Sequence, residues 1–215
     1  MFYNLLAPYG HSSHVANLFT YISFRSGLAI LVSMSVCFLL GPKLISYLRR
    51  VQKNGQPIRD DGPKSHFGKA GTPTMGGLMI LSSTIISTLL FANLANPYIW
   101  ICLFVLVTFG ALGFMDDYTK VSKNNYRGIS GKMKLTIQFL VSAIAFIAIQ
   151  YYAKPEYATL LSFPFFKKLF LDLGYFYIPF TMVVIIGSSN AVNLTDGLDG
   201  LAIGTTAIAI SSFAL

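Results

Sequence analysis

Six long apolar segments, separated by polar loops, constrain the fold of this chain more than any other feature of its sequence. A helix needs about 20 apolar residues to cross the roughly 30 Å hydrocarbon layer of a bilayer, and most of the segments reach or approach that length. The sequence therefore predicts an all-α, polytopic integral membrane protein with about six transmembrane helices. The predicted segments are Phe24–Pro42, Met75–Ala95, Tyr98–Met115, Leu135–Ala153, Leu173–Val192 and Leu201–Leu215.

Composition argues against the alternative of a large soluble all-α protein. Only 11% of the residues are charged and 54% are hydrophobic, whereas a soluble domain carries about 25% charged residues. The formal net charge of +8 is a poor indication of nucleic-acid binding, because the Lys and Arg residues lie between the apolar segments. That distribution suits membrane orientation and anionic substrates.

Basic residues are concentrated in alternate loops and so predict the orientation of the chain. The N-terminal tail and the link between the second and third segments contain no Lys or Arg, whereas loop 43–74 contains seven and loop 116–134 contains five. Because cytoplasmic loops carry the excess of basic residues, we expect the N-terminus outside and loops 43–74, 116–134 and 193–200 in the cytoplasm. The aromatic and basic segment Phe163–Asp172 is expected at the outer interface, with some strand or short helix.

Six of the eight acidic residues lie in the three loops predicted to be cytoplasmic. A carboxylate directly after an apolar helix is costly to bury, and the negative end of the helix dipole adds to that cost. A hard divalent cation such as Mg²⁺ would compensate, since it takes carboxylate and phosphate oxygens as ligands. The alternative is a solvated loop in which the acids cap helices and pair with Lys120. The three pairs are Asp60–Asp61, Asp116–Asp117 and Asp196 with Asp199.

The first loop also carries groups suited to phosphate, among them Lys69, His66 and Thr74. It ends where the second apolar segment begins, and a helix N-terminus presents free N–H groups and a positive dipole end to anions. Two simpler interpretations stay open. Thr74 could only cap that helix, and His66 could be an ordinary loop histidine.

In the third loop, Asn190, Asn193 and Asp196 have helical spacing, so that one face would present two amides and a carboxylate. The simpler interpretation is a turn rich in Asn, Asp and Gly. Asn190 is harder to explain in that way, because it lies late in an apolar segment where an unpaired amide is costly.

Three stretches resemble the phospho-N-acetylmuramoyl-pentapeptide transferases, a branch of the polyprenyl-phosphate N-acetylhexosamine-1-phosphate transferases. They are Asp60–Gly77, with its Ser-His-Phe-Gly-Lys-Ala-Gly-Thr-Pro-Thr-Met-Gly-Gly core, Gly113–Tyr118 (Gly-Phe-Met-Asp-Asp-Tyr), and Asn190–Ala202. The last two are similar across the superfamily, whereas the first is more similar to the muramoyl-pentapeptide branch. The resemblance covers nearly the whole chain.

The resemblance implies a reaction in which undecaprenyl phosphate attacks UDP-N-acetylmuramoyl-pentapeptide, giving lipid I and UMP with Mg²⁺ as cofactor. It implies that Asp116 and Asp117 act as general base or lipid-phosphate contact, in one step or through an enzyme-bound intermediate. By the same resemblance Asp196 is a magnesium ligand, with Asp117 as a second. The implied substrate-binding residues are Lys69, Thr74, Lys134, Asn190, Asn193 and, more weakly, Asp199 and His66.

The resemblance also sets expectations for the whole protein. Related transferases have about ten spans, so we expect residues 1–215 to be one integral membrane transferase domain that is truncated at its C-terminus and inactive alone. It should reside in the bacterial inner membrane with its active site facing the cytoplasm, and the sequence does not decide whether it forms a homodimer. One alternative is a related N-acetylglucosamine-1-phosphate transferase. A membrane transporter is disfavoured because the spans carry almost no ionisable groups at mid-depth.

Overall fold

The computed structural model describes residues 1–52, 72–123, 128–163, 166, 168–196 and 200–214. The chain forms two compact units, Met1–Lys134 and Leu135–Leu215, and each is described by itself. The single domain expected from the sequence stays a prediction. The helices are α1 (Phe2–Leu6), α2 (His14–Leu18), α3 (Ile22–Val51), α4 (Gly77–Phe91), α5 (Pro97–Ser122), α6 (Gly131–Tyr152), α7 (Tyr177–Thr195) and α8 (Leu201–Ala214).

Each of the six predicted apolar segments forms an α-helix over most of its described residues, which confirms a mostly helical, multi-pass membrane fold. Helices α3, α5 and α6 and the segment Gly174–Thr195 around α7 are long and apolar enough to cross a bilayer. Helices α4 and α8 are shorter, with 15 and 14 residues. At 1.5 Å per residue α4 rises only about 22 Å, less than the hydrocarbon layer.

Helix α4 packs against α3 and α5 in the first unit, and small residues allow the close approach. A Cβ at Gly41 of α3 would lie 2.9 Å from the sulfur of Met79, and one at Gly110 of α5 would lie 2.7 Å from Leu81. The buried Ser83 accepts a hydrogen bond from Cys37 across the α3–α4 contact, at 3.4 Å. Such small and weakly polar contacts are typical of helix packing within membranes, where apolar burial between helices provides little driving force.

Three helices continue beyond the predicted ends of their apolar segments. Helix α3 ends at Val51, α5 at Ser122 and α7 at Thr195, so each helix extends into the segment that was predicted to be a loop from 43, 116 or 193 onward. Hydropathy marks where the hydrocarbon ends, whereas a helix can continue into the polar layer. In α5 an ion pair between Asp116 and Lys120, four residues apart, favours this continuation.

The segment between α6 and α7 in the second unit contains the expected short strands. Strands β1 (Leu160–Ser162) and β2 (Phe170–Asp172) pair antiparallel, with Leu161 opposite Leu171. The hydroxyl of Thr159 and the N–H of Gly174 donate to Asp172, at 2.6 and 2.9 Å. These hydrogen bonds hold the pKa of Asp172 below its usual range and fix the turn that leads into α7.

Candidate functional site

Asp116 and Asp117 lie in the last two turns of α5, within the first unit, and share one cation. The Nζ atom of Lys120 lies 2.6 Å from Oδ2 of Asp116 and 3.5 Å from Oδ1 of Asp117. All three side chains are largely covered, with exposed fractions of 18%, 29% and 19% for Asp116, Asp117 and Lys120. Two carboxylates on adjacent residues at the negative end of a helix repel each other, and Lys120 offsets that repulsion.

The second oxygen of Asp116 is bound by the backbone of the loop that precedes α6. The N–H of Ile129 donates to Oδ1 of Asp116 at 2.8 Å. Gly128 has a φ of +61°, which favours glycine, and a Cβ at this position would overlap that same carboxylate oxygen. Both oxygens of Asp116 are therefore engaged, one by Lys120 and one by the chain around Gly128.

Asp117 is held instead by Thr74, which lies just before α4. The hydroxyl of Thr74 donates to Oδ2 of Asp117 at 2.8 Å. The interpretation of Thr74 as a helix cap is wrong, because the cap position of α4 is Gly76 and no side chain bonds to it. Met75, between Thr74 and Gly76, is buried and has a φ of 71°. This conformation is costly for a non-glycine residue and is often found at functional sites.

Gln52, the residue directly after α3, fixes the backbone of Thr74. Its Oε1 accepts from the Thr74 N–H at 2.9 Å, and its Nε2 donates to the Thr74 carbonyl at 3.3 Å. The side chain is 4% exposed, so both hydrogen bonds are shielded from water. Gln52 was not predicted as a site residue, because an amide in a polar loop has many ordinary uses and nothing local points to Thr74.

Lys134 lies in the first turn of α6 and adds a favourable charge interaction with Asp116. Four predicted residues thus lie together in the first unit: the carboxylates of Asp116 and Asp117, with Thr74 and Lys134 beside them. Lys120, which was not predicted as a site residue, is the cation that contacts both carboxylates. Three other predicted residues, Lys69, His66 and Asp199, lie outside the described residues.

The second unit holds the remaining candidates at the end of α7. Asn190, Asn193 and Asp196 follow one another at helical spacing as expected, with Asp196 directly after the last helical residue. The Asn190 amide donates to Oε1 of Gln138 at 2.8 Å and to the Ile186 carbonyl at 2.9 Å. Asn193 and Asp196 are exposed.

Gln138, on α6, is the partner that the costly amide of Asn190 requires. It is 1% exposed and also donates to the hydroxyl of Ser189, at 3.5 Å. Sequence analysis missed this residue, although the same reasoning applies to it, because Gln138 is an amide within an apolar segment. The hydrogen bond orients Asn190 at the point where α7 leaves its apolar stretch.

No group of three or more His, Cys, Asp and Glu side chains among the described residues is arranged to hold a metal ion. This does not argue against Mg²⁺, which is usually held by one or two carboxylates together with substrate phosphates. The donor chemistry at Asp117 fits such an ion. Among the described residues, its Oδ1 has the longer contact to Lys120, and both donor types nearby, carboxylate and hydroxyl, are hard oxygen ligands.

The chain is similar to known proteins in two regions. The model of glycosyl transferase family 4 matches residues 99–215, more than half of the chain, which includes both Asp116–Asp117 and the end of α7. Signature 1 of the phospho-N-acetylmuramoyl-pentapeptide-transferases matches residues 69–81, which include Lys69 and Thr74.

Curated relatives match over the full chain. The phospho-N-acetylmuramoyl-pentapeptide-transferases of Rickettsia felis and Rickettsia akari are each 61% identical over all 215 residues, and that of Rickettsia montanensis is 60% identical. The chain spans 59% of the length of each of these relatives.

Proposed function

The chain belongs to glycosyl transferase family 4, and on that basis we propose that it serves the synthesis of lipid I. In the proposed reaction, phospho-N-acetylmuramoyl-pentapeptide passes from its UDP conjugate to undecaprenyl phosphate, and UMP leaves. The relatives' names specify the transferred group, and signature 1 at residues 69–81 favours this group over N-acetylglucosamine-1-phosphate.

The hydrogen bond from Thr74 to Asp117 is the observation that carries the proposal. Thr74 belongs to the signature segment, and Asp117 belongs to the separate region that matches the family. Thr74 and Asp117 are 43 positions apart in the sequence. A direct bond between their side chains supports a single site built from both, rather than two unrelated polar loops.

The chemistry requires two phosphate groups to approach each other. An oxygen of undecaprenyl phosphate bonds to the β-phosphorus of the UDP conjugate, and the bond from that phosphorus to the UMP oxygen breaks. Positive groups must offset the repulsion and the charge that develops in the transition state. Lys120 and Lys134 supply such charge beside Asp116 and Asp117, and Lys69 from the signature segment is proposed to add to it.

The two carboxylates are suited to different roles in this scheme. Both oxygens of Asp116 are occupied by Lys120 and the Ile129 N–H, so Asp116 suits an orienting role and holds the cation in place. Within the part of the chain that the structure describes, Asp117 Oδ1 has a 3.5 Å contact to Lys120, longer than the contact Lys120 makes with Asp116, so we assign Asp117 the role of base or contact to the lipid phosphate. In an alternative two-step reaction Asp117 would be the attacking group.

Mg²⁺ is proposed as the cofactor, held by Asp117 and Asp196 together with substrate phosphates. When bound, it would neutralise phosphate charge and orient the leaving UMP. Asn190 and Asn193 are proposed to contact the nucleotide or pyrophosphate, and Asp199 and His66 are weaker candidates for the same region. The site is proposed to face the cytoplasm, where the UDP conjugate is made, in a bacterial inner membrane.

Product identification tests the proposal. Membranes containing this chain, alone or joined to the part of the Rickettsia felis relative outside the match, receive undecaprenyl phosphate and Mg²⁺ with either UDP-N-acetylmuramoyl-pentapeptide or UDP-N-acetylglucosamine. With the joined chain we expect lipid I and UMP from the first donor, measured by thin-layer chromatography and nucleotide release, and with the chain alone we expect no product. Product only from the second donor would favour the N-acetylglucosamine alternative, and no product from either form would reject the proposal.

Single cysteines test the proposed orientation. They are placed at Lys123 and Asn96 in a background without Cys37 and Cys102. In intact cells an impermeant thiol reagent should modify the cysteine at Asn96 and spare the one at Lys123. The reverse pattern would place the carboxylate pair on the outer face and contradict the proposed site.

A further inference from the structure

A polar groove lies on the surface of α3 just beyond its apolar stretch. It is an open, shallow groove with a volume of about 390 Å³, lined by Pro42, Lys43, Ser46, Tyr47 and Arg50. All five residues are exposed, and they are separated by one, three or four positions, so that they share one face of the helix. The other face of the same segment packs inward, since Leu48 is 7% exposed.

The length of α3 places this groove at the level of lipid headgroups. The helix has 30 residues and so rises about 45 Å, the thickness of a bilayer with its headgroup layers. Its first 20 residues rise about 30 Å, enough to cross the hydrocarbon and reach Gly41. The groove begins at the next residue, where phosphate groups of the bilayer are expected.

The groove is cationic and rich in hydrogen-bond donors. Lys43 and Arg50 are one charge each, and Tyr47 contributes a hydroxyl between them. Among the residues that the structure describes, no carboxylate forms an ion pair with Lys43 or Arg50. Two cations and a hydroxyl on adjacent turns suit a phosphate, because charge-assisted hydrogen bonds to phosphate are strong.

The surface next to the groove is apolar, which identifies the kind of ligand. Leu39 and Leu40 precede it by one turn on the same side of α3 and are 70% and 47% exposed. A free phosphate would make no use of these side chains. A phospholipid would, because its headgroup can lie against Lys43 and Arg50 while an acyl chain covers Leu39 and Leu40.

We propose that this α3 groove, formed by Pro42, Lys43, Ser46, Tyr47 and Arg50, is a binding site for an anionic phospholipid. The groove is separate from Thr74, Asp116 and Asp117, so the site does not depend on the reaction proposed above. An occupied groove would fix the depth and rotation of α3, the helix whose terminal Gln52 holds Thr74.

Lipid retention by the purified 215-residue chain tests this site. Native mass spectrometry in a neutral detergent compares phosphatidylglycerol with phosphatidylcholine of the same acyl chains. We expect the wild-type chain to retain phosphatidylglycerol preferentially. Because one basic residue near an anionic lipid surface contributes about 1 kcal/mol, Arg50→Gln and Lys43→Gln should each weaken that binding about fivefold.

Arg49→Gln is the matched control, because Arg49 is adjacent, exposed and equally charged but does not line the groove. It should change phosphatidylglycerol binding less than twofold. An equal loss for Arg49→Gln and Arg50→Gln would show general charge attraction and overturn the site, as would equal retention of the two lipids. Circular dichroism and detergent size-exclusion should be unchanged for all three variants, since these side chains are exposed, and unfolding of any of them would contradict their placement.

Discussion

The hydroxyl of Thr74 donates a 2.8 Å hydrogen bond to Oδ2 of Asp117, and this bond joins the segment before α4 to the end of α5. Among the residues that are described, the contact of Asp117 Oδ1 is to Lys120, at 3.5 Å. A carboxylate with one oxygen in a short hydrogen bond and the other in a longer contact is suited to meet a substrate or a cation with its second oxygen. Asp116, with both oxygens bound, is not.

Thr74→Val should slow turnover by about one to two orders of magnitude while leaving the fold intact. The change removes the hydroxyl but keeps the shape, and a hydrogen bond to a charged group contributes about 1.5–3 kcal/mol. Initial rates of lipid I formation measure the effect. Thr119→Val is the control, because among the described residues the Thr119 hydroxyl bonds to the Met115 carbonyl of its own helix. Equal rates for the two variants would contradict the role of Thr74.

Gln52→Ala should release the Thr74 backbone and reduce turnover, whereas Gln52→Glu should restore it in a pH-dependent way. A protonated Glu can accept from the Thr74 N–H and donate to the Thr74 carbonyl, as Gln52 does. An ionised Glu has no proton to donate, so its oxygen and the Thr74 carbonyl would be two acceptors that repel each other. Burial raises the pKa of a carboxyl group, so the folded form of this variant should bind more protons than the unfolded form.

The melting temperature of Gln52→Glu in detergent should therefore rise relative to wild type as pH is lowered from about 8 to about 6. The reason is that the folded state holds the extra proton, so the free energy of unfolding decreases as pH increases. Gln52→Ala should show no such trend. Hydrogen exchange at the Thr74 amide should be fast in the Ala variant at every pH. A flat profile for Gln52→Glu would mean that Gln52 does not hold Thr74 through both hydrogen bonds.

Gly128→Ala should weaken the Asp116 cluster. Its Cβ would overlap the Asp116 oxygen that accepts from Ile129, and its φ of +61° is strained for alanine by about 1 kcal/mol or more. Thermal unfolding in detergent should show a melting temperature lower by a few degrees. Gly131→Ala is the control, because nothing lies within 4 Å of its Cβ position. A normal melting temperature for Gly128→Ala would show that the loop can move away from Asp116 at no cost.

Gln138 and Asn190 should be energetically coupled in the second unit. A double-mutant cycle with Gln138→Leu and Asn190→Leu should give a coupling of about 0.5–1.5 kcal/mol, the range found for hydrogen bonds between membrane helices. The coupling is calculated from the free energies of unfolding of the wild type, the two single variants and the double variant, each measured by detergent denaturation. Additive effects of the two changes would mean that the 2.8 Å hydrogen bond contributes nothing to stability.

The apolar part of the fold could be predicted from sequence, because long hydrophobic segments have few alternatives to membrane helices. The helix ends could not. Asp116 and Asp117 belong to α5 because Lys120 pairs with Asp116 one turn later, and hydropathy carries no information on such a pair.

The site was only partly predictable for the same kind of reason. The cost of burial singled out Asp116, Asp117 and Asn190, and the position before a helix singled out Thr74, but their roles in the reaction were implied only by the family resemblance. Gln52 is 22 positions from Thr74, and its role depends on a tertiary contact that no local pattern reports. Gln138, by contrast, follows from the cost of an amide in an apolar segment, provided that every such amide is considered.

Lipid I formation by the joined chain described above, with and without Asp117→Asn, tests the central claim most directly. We expect Asp117→Asn to lower turnover at least about 100-fold, the scale of lost acid–base or electrostatic catalysis, and Asp196→Asn to do the same. Glu156→Gln, an equivalent change in the short turn after α6, should leave the rate unchanged. All variants should elute normally from detergent size-exclusion. Turnover by Asp117→Asn within a few-fold of the Glu156→Gln control would contradict the account of this site.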